Sequence, residues 1–206
     1  MMPRTSPFFL SGRRILLRPL GPADWEAWRE VRKRCHEWLV KWEPRAVPGH
    51  PDPTDDRRAF VARCGARDRE RELGSGFGFG VFAEGRFCGE INLNSIQRGP
   101  FQNAYIGYWM DQAAAGNGYT PEAVAVVLQF AFEELGLHRV QISIIPRNRA
   151  SRRVVEKLAI RDEGVALRYL EINGVWEDHI RFAITAEEWV ERRNELLREW
   201  VLTEAS

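Results

Sequence analysis

Several features that mark other classes of protein are scarce in this sequence of 206 residues. It has three cysteines, Cys35, Cys64 and Cys88, and their spacing contains neither a CxxC pair nor a Cys/His pattern that would hold zinc. Isolated cysteines of this kind usually behave as small apolar residues. We therefore expect reduced thiols in the core and no bound metal.

Long apolar runs are also missing. A membrane-spanning helix needs about 20 consecutive apolar residues, and no segment approaches that length. Residues 1–10 are too few and too weakly apolar to form a secretory signal. These absences predict a cytoplasmic protein without a membrane partner.

Neither sign of charge dominates. Thirty Lys and Arg residues against 29 Asp and Glu leave a formal net charge of +1, so no global field would draw the protein onto nucleic acid. Hydrophobic residues make up 44% of the chain, enough for a sizeable core. At this length we expect one domain over 1–206, with a flexible segment at 1–12 and a C-terminal helix within 186–206.

The spacing of apolar residues and turn signals predicts helices and strands in a mixed order. The predicted helices span 23–40, 54–73, 120–135, 148–158 and 186–200. The predicted strands span 13–19, 77–83, 86–96, 104–110, 140–145 and the two arms of a hairpin that turns at Asn173-Gly174. This order is typical of an α+β fold and not of a regular βαβ alternation.

A loop with two glycines precedes the third predicted helix. It reads Ala115-Gly-Asn-Gly-Tyr-Thr120, and Thr120 followed by Pro121 is expected to open the helix. Glycines allow a tight turn with inward N–H groups, and the helix dipole adds positive potential, so this loop suits a diphosphate. The letters match neither a P-loop nor a dinucleotide fingerprint. An ordinary strand-to-helix turn is the alternative.

The predicted helix at 148–158 carries a second motif. Its sequence, from the preceding proline, is Pro146-Arg-Asn-Arg-Ala-Ser-Arg-Arg-Val-Val-Glu-Lys-Leu158. Asn148 is expected to cap the helix, with Ser151 one turn inside it. On these residues alone, Asn148 could be a cap without any other role.

A series of short segments in a fixed order carries a family resemblance. The most specific are Tyr105-Ile-Gly-Tyr-Trp-Met110, Gly116-Asn-Gly-Tyr119 and Asn148-Arg-Ala-Ser-Arg-Arg-Val-Val-Glu-Lys157, supported by Leu17-Arg-Pro-Leu20, Trp38-Leu-Val-Lys-Trp42 and Gly174-Val-Trp-Glu-Asp-His179. Together they cover about residues 13–185. The series resembles the GNAT superfamily of N-acetyltransferases, most closely its RimJ/RimL-like branch that acts on ribosomal proteins.

The resemblance implies a GNAT fold, in which a central, splayed, mixed and mostly antiparallel sheet of six to seven strands is flanked by helices. Acetyl-CoA would lie, as cosubstrate and without a metal, between the strands at 104–110 and 140–145. The residues implied to bind it are Trp109, Met110, Ala115, Gly116, Asn117, Gly118, Tyr119, Thr120, Asn148 and Ser151. The family usually has Arg or Gln at the position of Ala115 and Gly or Ala at that of Thr120, so this chain departs from the pattern there.

Acetyl transfer to an amine needs a neutral nucleophile, a polarised thioester carbonyl and a proton for the departing thiolate. Tyr108 or Ser151 would supply the proton, with Ser151 preferred from the resemblance. A backbone N–H near Trp109 or Met110 would polarise the carbonyl. Glu90 is the candidate carboxylate for the amine's proton, because we expect it to face the cleft from the meander. Alternatively, the Glu90 side chain could face solvent from its strand and take no part in catalysis.

The acceptor channel is expected to contain Trp38, Trp42, Glu43 and Asp178, with Glu43 attracting a cationic N-terminus. Tryptophans at this spacing also occur in cores, and Asp178 could form a structural pair with His179. An α-amino group has a pKa near 7.7 to 8.0, against about 10.4 for lysine, and so needs little help to become neutral.

The preferred function is direct attack, in a ternary complex, by the N-terminal α-amino group of a protein such as a ribosomal protein. Two alternatives remain, a small-molecule amine such as an antibiotic or polyamine, and a catalytically silent acyl-CoA-binding module. No direct nucleic-acid partner is expected, and the sequence leaves both a monomer and a homodimer open.

Overall fold

The structure is a computed structural model of the chain and describes residues 8–45 and 49–202. The strands in this part are β1 Leu10–Ser11, β2 Ile15–Arg18, β3 Phe77–Ala83, β4 Arg86–Gln97, β5 Asn103–Met110, β6 Arg139–Ile144, β7 Arg161–Ile172 and β8 Val175–Thr185. The α-helices are α1 Trp25–Arg34, α2 His36–Leu39, α3 Arg57–Glu72, α4 Tyr119–Gln129, α5 Arg149–Lys157 and α6 Ala186–Trp200. Short 3₁₀ turns lie at Pro22–Asp24, Val40–Trp42 and Gln112–Ala114, and the π-helical turn Phe130–Glu134 continues α4.

The eight strands form one sheet in the order β1-β2-β3-β4-β5-β6-β8-β7. All neighbours are antiparallel except β5 and β6, which run parallel from the pair Asn103 and Arg139 to the pair Tyr105 and Gln141. Beyond that point β5 and β6 separate. The predicted α+β class and splayed, mixed sheet are confirmed.

The predicted number of six to seven strands is too low. Leu10–Ser11 pairs with Leu16 and Leu17 of β2, in a segment that the sequence assigned to flexible chain. A strand of two residues has no periodicity, so only its pairing reveals it. Residues 1–7 of the predicted flexible segment, and residues 203–206 at the other terminus, lie outside the described residues.

Apolar residues cover both faces of the sheet. On one face the core includes Phe79, Ile91 and Val155, together with α4, of whose eleven residues eight are buried. Because α4 is apolar nearly all round, it behaves as a buried helix and not as an amphipathic surface helix. On the other face α1 and α3 pack through Trp28 and Phe60.

Most predicted elements have the expected bounds. The hairpin between β7 and β8 turns at Asn173-Gly174, and α6 begins after the capping box of Thr185 and Glu188. The predicted helix at 23–40 is instead broken at Cys35, whose backbone leaves the helical region with φ −95° and ψ 11°. The thiol of Cys35 contacts Asp111 at 3.3 Å, so a tertiary contact accompanies the break.

The predicted state of the cysteines is confirmed, since Cys35, Cys64 and Cys88 are all free and buried. Within residues 8–45 and 49–202, no group of three or more His, Cys, Asp or Glu side chains is arranged to hold a metal ion. No helix in the described part of the chain has the length and apolar character needed to cross a membrane.

Candidate active site

The separation of β5 from β6 opens a cleft of about 780 Å³. Its walls are the end of β5, one face of α5 along its whole length, the loop before α4, and the end of α2 with the turn that follows it. Thirteen predicted site residues line it: Trp38, Trp42, Glu43, Tyr108, Trp109, Met110, Ala115, Gly116, Gly118, Tyr119, Thr120, Asn148 and Ser151. Glu90, Asn117 and Asp178 do not.

The glycine loop borders the cleft as expected, but Thr120 does not cap the helix. Gly116 and Gly118 have φ values of +86° and +82°, a left-handed conformation that favours glycine. Gly118 takes the N-cap position of α4, and no side chain of the described residues caps that end. The helix therefore starts at Tyr119, two residues before Pro121, where a cap at Thr120 would have started it, because Gly118 sets the turn. Uncapped N–H groups at a helix start form a natural anion site.

Arg14 and Glu122 form a hydrogen-bonded pair that supports this loop. Glu122, in the first turn of α4, is fully buried and accepts hydrogen bonds from the Arg14 backbone N–H at 2.6 Å and from its Nε at 2.9 Å. Arg14 also donates from Nη1 to the carbonyl of Asn117 at 2.9 Å and lies 5.1 Å from the Tyr119 ring centroid. One guanidinium thus ties the strand β2 region to the loop and to the helix that follows it.

Two of the side chains that line the cleft form a pair of hydroxyl groups. The Tyr108 hydroxyl on β5 and the Ser151 hydroxyl on α5 are 2.9 Å apart, and either can donate. Asn148 caps α5 as predicted, its side chain accepting from the Ser151 N–H at 3.1 Å. Burial raises the pKa of Tyr108, and the smaller opposing effect comes from its bond with Ser151. Tyr108 therefore remains protonated at physiological pH and can act as a donor.

Glu90 is not placed where its proposed role as a base requires. The structure buries its side chain beneath α1 and α3, where Oε1 accepts from Trp28 Nε1 at 2.6 Å and Oε2 from Arg63 at 2.5 Å. Both oxygens are therefore engaged, and the residue is 3% exposed. Every residue of β4 from Phe87 to Ile91 is buried, so alternation along the strand could not show which side chains face the cleft.

The other end of the cleft has an aromatic wall. Trp38 and Trp42 line it, and Lys41 places its ammonium 5.9 Å and 5.5 Å from their ring centroids. Arg147 lies 5.1 Å from the Trp42 ring and pairs with Glu177 at 2.5 Å. Contacts of this kind between a cation and an indole face are attractive.

The two carboxylates expected in the acceptor channel already have partners. Glu43 lines the cleft, but both its oxygens accept from Arg32, at 2.5 Å and 2.7 Å. Burial is the largest single effect on the pKa of Arg32 and lowers it, but Glu43, Glu90 and Asp52 together raise it above its ordinary value, so Arg32 stays charged beside Glu43. Asp178 lies outside the cleft on β8 and accepts from the Arg168 N–H at 2.8 Å.

Sequence reasoning missed the basic side chains of the cleft. Arg149, Arg153 and Lys157 recur every four residues along one face of α5, and all three line the cleft, as do Lys41 and Arg147. The i, i+4, i+8 spacing within the motif from Asn148 to Lys157 was the signal for this row. Such a row suits an anionic ligand.

Asp111 links the acceptor side of the cleft to the glycine loop. It follows β5 and accepts from Arg34 at 2.9 Å, from the Cys35 thiol and from the Ala113 N–H at 3.0 Å. Burial raises the pKa of Cys35, which therefore remains a neutral thiol donor. The end of α1 and the start of the loop are thereby fixed to one carboxylate.

Comparison with known proteins agrees with this geometry. A family model described as an acetyltransferase (GNAT) domain matches residues 14–161. The chain is 34% identical over 177 residues to a probable N-acetyltransferase, YjcK, of Bacillus subtilis, covering 85% of this chain and 96% of that protein. It is 30% identical over 174 residues to the ribosomal protein uS5-alanine N-acetyltransferase of Escherichia coli, covering 82% and 88%.

A solved structure shows the same architecture. Mycobacterium smegmatis RimJ, determined in complex with CoA-disulfide, matches with a TM-score of 0.85 at 30% identity, covering 94% of each chain. The family model spans more than half of this sequence, and the relatives align over most of it. The chain therefore belongs to the GNAT family of acetyltransferases and is an N-acetyltransferase related to the ribosomal-protein enzymes of the RimJ type.

Proposed function

We propose that this enzyme transfers the acetyl group of acetyl-CoA to the N-terminal α-amino group of a protein, a ribosomal protein being the preferred acceptor. The support is its similarity to the uS5-alanine N-acetyltransferase and to RimJ, together with the cleft that forms where β5 separates from β6. A ribosomal acceptor agrees with the cytoplasmic location that the sequence predicts. The acetyl donor supplies an activated thioester carbonyl.

The residues present fit acetyl-CoA. The uncapped start of α4 and the left-handed glycines Gly116 and Gly118 offer backbone N–H groups to a diphosphate. Arg149, Arg153 and Lys157 add three positive charges along the same cleft. They replace the cation that the family usually places at the position of Ala115. The other loop residues, Asn117, Tyr119 and Thr120, would contribute through their backbone.

The acyl arm of acetyl-CoA would lie where β5 separates from β6. Within the described residues, no strand neighbours the backbone groups of Trp109 and Met110 that point away from β4, since the β5–β6 pairing ends at Tyr105. An N–H of this segment would polarise the thioester carbonyl. Asn148, at the facing start of α5, would bind the same arm.

The hydroxyl groups of Ser151 and Tyr108 would protonate the leaving thiolate. Ser151 would donate to the sulfur as the C–S bond breaks, and Tyr108, 2.9 Å away, would return a proton to Ser151. The proton that the attacking nitrogen loses on becoming an amide would pass through water to Tyr108, so the hydroxyl pair ends the reaction as it began. Because burial raises the pKa of Tyr108, its hydroxyl keeps a proton to give. Attack on the thioester is direct, in a ternary complex, without an acetylated residue on the enzyme.

The incoming amine would lose its proton to water instead of to Glu90. Glu90 is buried and holds Trp28 and Arg63, so it supports the fold beneath the cleft. An α-amino group with a pKa near 8 is partly neutral at physiological pH and needs no strong base. This distinguishes an N-terminus from a lysine side chain as acceptor.

The observation that carries the proposal is the Tyr108–Ser151 pair within a cleft whose one end suits a diphosphate. We would measure release of CoA thiol from acetyl-CoA with Ala- and Ser-starting peptides, their N-blocked forms and small amines. The proposal predicts turnover on the free peptides alone. Turnover confined to small amines would refute the N-terminal acceptor, and tight acetyl-CoA binding without turnover would refute catalysis.

A further inference from the structure

Charge is distributed unevenly along the cleft. Of the described residues that line it, five are basic and one, Glu43, is acidic. Three of the basic residues lie on one face of α5 and are assigned above to the phosphates of acetyl-CoA. The remaining two, Lys41 and Arg147, lie with the tryptophans at the acceptor end. Their charge has no counterpart in the acetyl donor's acyl arm, which is neutral.

The carboxylate at this end cannot balance them. Glu43 engages both oxygens with Arg32, whose guanidinium also lies 5.0 Å from the Trp109 ring centroid. Its side chain is 26% exposed and that of Arg32 is 22% exposed, so the pair is largely shielded from solvent. An incoming cation would have to separate an existing ion pair to reach Glu43.

Lys41 is the basic residue at this end without an ion-pair partner among the described residues. Arg147 has Glu177 as its partner, but no carboxylate among the described residues lies within ion-pair distance of the Lys41 ammonium. The ammonium instead lies over Trp38 and Trp42, both of which line the cleft. A ligand on these two indole rings would meet an exposed cation.

We propose that Lys41, with Arg147 beside it, selects acceptors that carry an acidic group close to the reactive amine. On the proposed function, on which this inference rests, the acceptor is an N-terminus with Asp or Glu among its first three residues. The acidic side chain would accept from Lys41 while its methylene groups lie on the indoles. A basic residue at the same position would be repelled.

The test compares matched acceptors. Peptides that begin Ala-Glu, Ala-Gln and Ala-Lys, identical elsewhere, are assayed by CoA release with wild type, Lys41→Met and Lys41→Glu. Arg58→Glu, an exposed α3 position outside the cleft lining, is the control for a change of net charge. Two small amines are assayed in parallel: γ-aminobutyrate, which carries a carboxylate, and putrescine, which carries a second ammonium group.

We expect wild type to favour Ala-Glu over Ala-Lys by about fivefold in kcat/KM, the size of one partly exposed charge pair. Lys41→Met brings the ratio close to one, Lys41→Glu reverses it, and Arg58→Glu leaves it unchanged. The KM for acetyl-CoA stays constant throughout. Added salt reduces the wild-type ratio, since the charge is exposed.

Equal rates with acidic and basic acceptors in wild type, or a ratio that Lys41→Glu does not move, would overturn the inference. Failure of the proposed function gives a different result, in which only the small amines react. In that case the ratio of kcat/KM for γ-aminobutyrate to kcat/KM for putrescine, measured with the same Lys41 variants, tests whether Lys41 selects an anionic acceptor.

Discussion

The hydroxyl of Tyr108 on β5 lies 2.9 Å from the hydroxyl of Ser151 on α5, across the gap where the sheet divides. The two residues are 43 positions apart in sequence, and each lines the same cleft. Their contact joins the strand that would polarise the thioester to the helix whose cap is Asn148.

Removing the Ser151 hydroxyl should slow the chemical step. We expect Ser151→Ala to lower kcat by about 10- to 100-fold with little change in the KM for acetyl-CoA, because a positioned proton donor contributes about that much or more. Tyr108→Phe should lower kcat by about tenfold. Because the two act as one unit, the double variant should be no slower than Ser151→Ala. Losses that multiply in the double variant would contradict the relay.

The pH dependence follows from the pKa of Tyr108. Burial raises it above its ordinary value of 10.0, so the protonated, donating form persists throughout the range in which an α-amino group becomes neutral. The profile of kcat/KM should therefore rise through about pH 8 and stay level to about pH 10. A falling limb below pH 9 that disappears in Tyr108→Phe would show that Tyr108 titrates in its ordinary range or lower.

Arg14 should determine how well the glycine loop binds acetyl-CoA. Arg14→Gln removes its Nε bond to Glu122 and its bond to the Asn117 carbonyl, so the loop loses its support. We expect the KM for acetyl-CoA to rise about five- to tenfold with kcat within about twofold, and stability to fall by about 1–3 kcal/mol because a buried carboxylate loses its partner.

The matched control for Arg14 is its neighbour. The Arg13 side chain donates to the carbonyls of Leu202 and Arg198, and within the described residues it makes no hydrogen bond to the glycine loop. Arg13→Gln should leave the KM for acetyl-CoA unchanged. Equal effects of Arg13→Gln and Arg14→Gln on that constant would mean that the loop is not held by Arg14.

Glu90 should matter for stability more than for catalysis. Glu90→Gln removes the ion pair with Arg63 while an acceptor for Trp28 remains. We expect kcat/KM to change by less than about threefold and the Tm to fall by several degrees, as for loss of a buried charge interaction. Glu84→Gln, at the exposed pair with Arg86, should leave both unchanged. A large loss of kcat with a shifted pH profile would restore Glu90 as the base.

Local signals predicted much of the fold. The strand at 77–83 has its expected bounds because turn residues Glu84 and Gly85 end it, and α6 matches because Thr185 and Glu188 form a capping box. The start of α4 was misplaced by two residues because either Thr120 or Gly118 could end the turn. Only the left-handed backbone at Gly118 decides between them.

Contacts between distant parts of the chain could not be read from the sequence. Arg14 and Glu122 are 108 positions apart, and nothing local marks either as a partner of the other. The same holds for Arg32 and Glu43, whose pairing removes the charge that was expected to attract a cationic acceptor. Spacing predicts faces of single elements, and the partners of charged side chains depend on how those elements pack.

The central claim is tested most directly by mass spectrometry of an Ala-starting peptide that also contains an internal lysine, after incubation with acetyl-CoA and enzyme. The account predicts one acetyl group, located on the N-terminal α-amino group, with the lysine unmodified. Acetylation of the lysine side chain, or an unchanged peptide in a reaction that acetylates small amines, would contradict it.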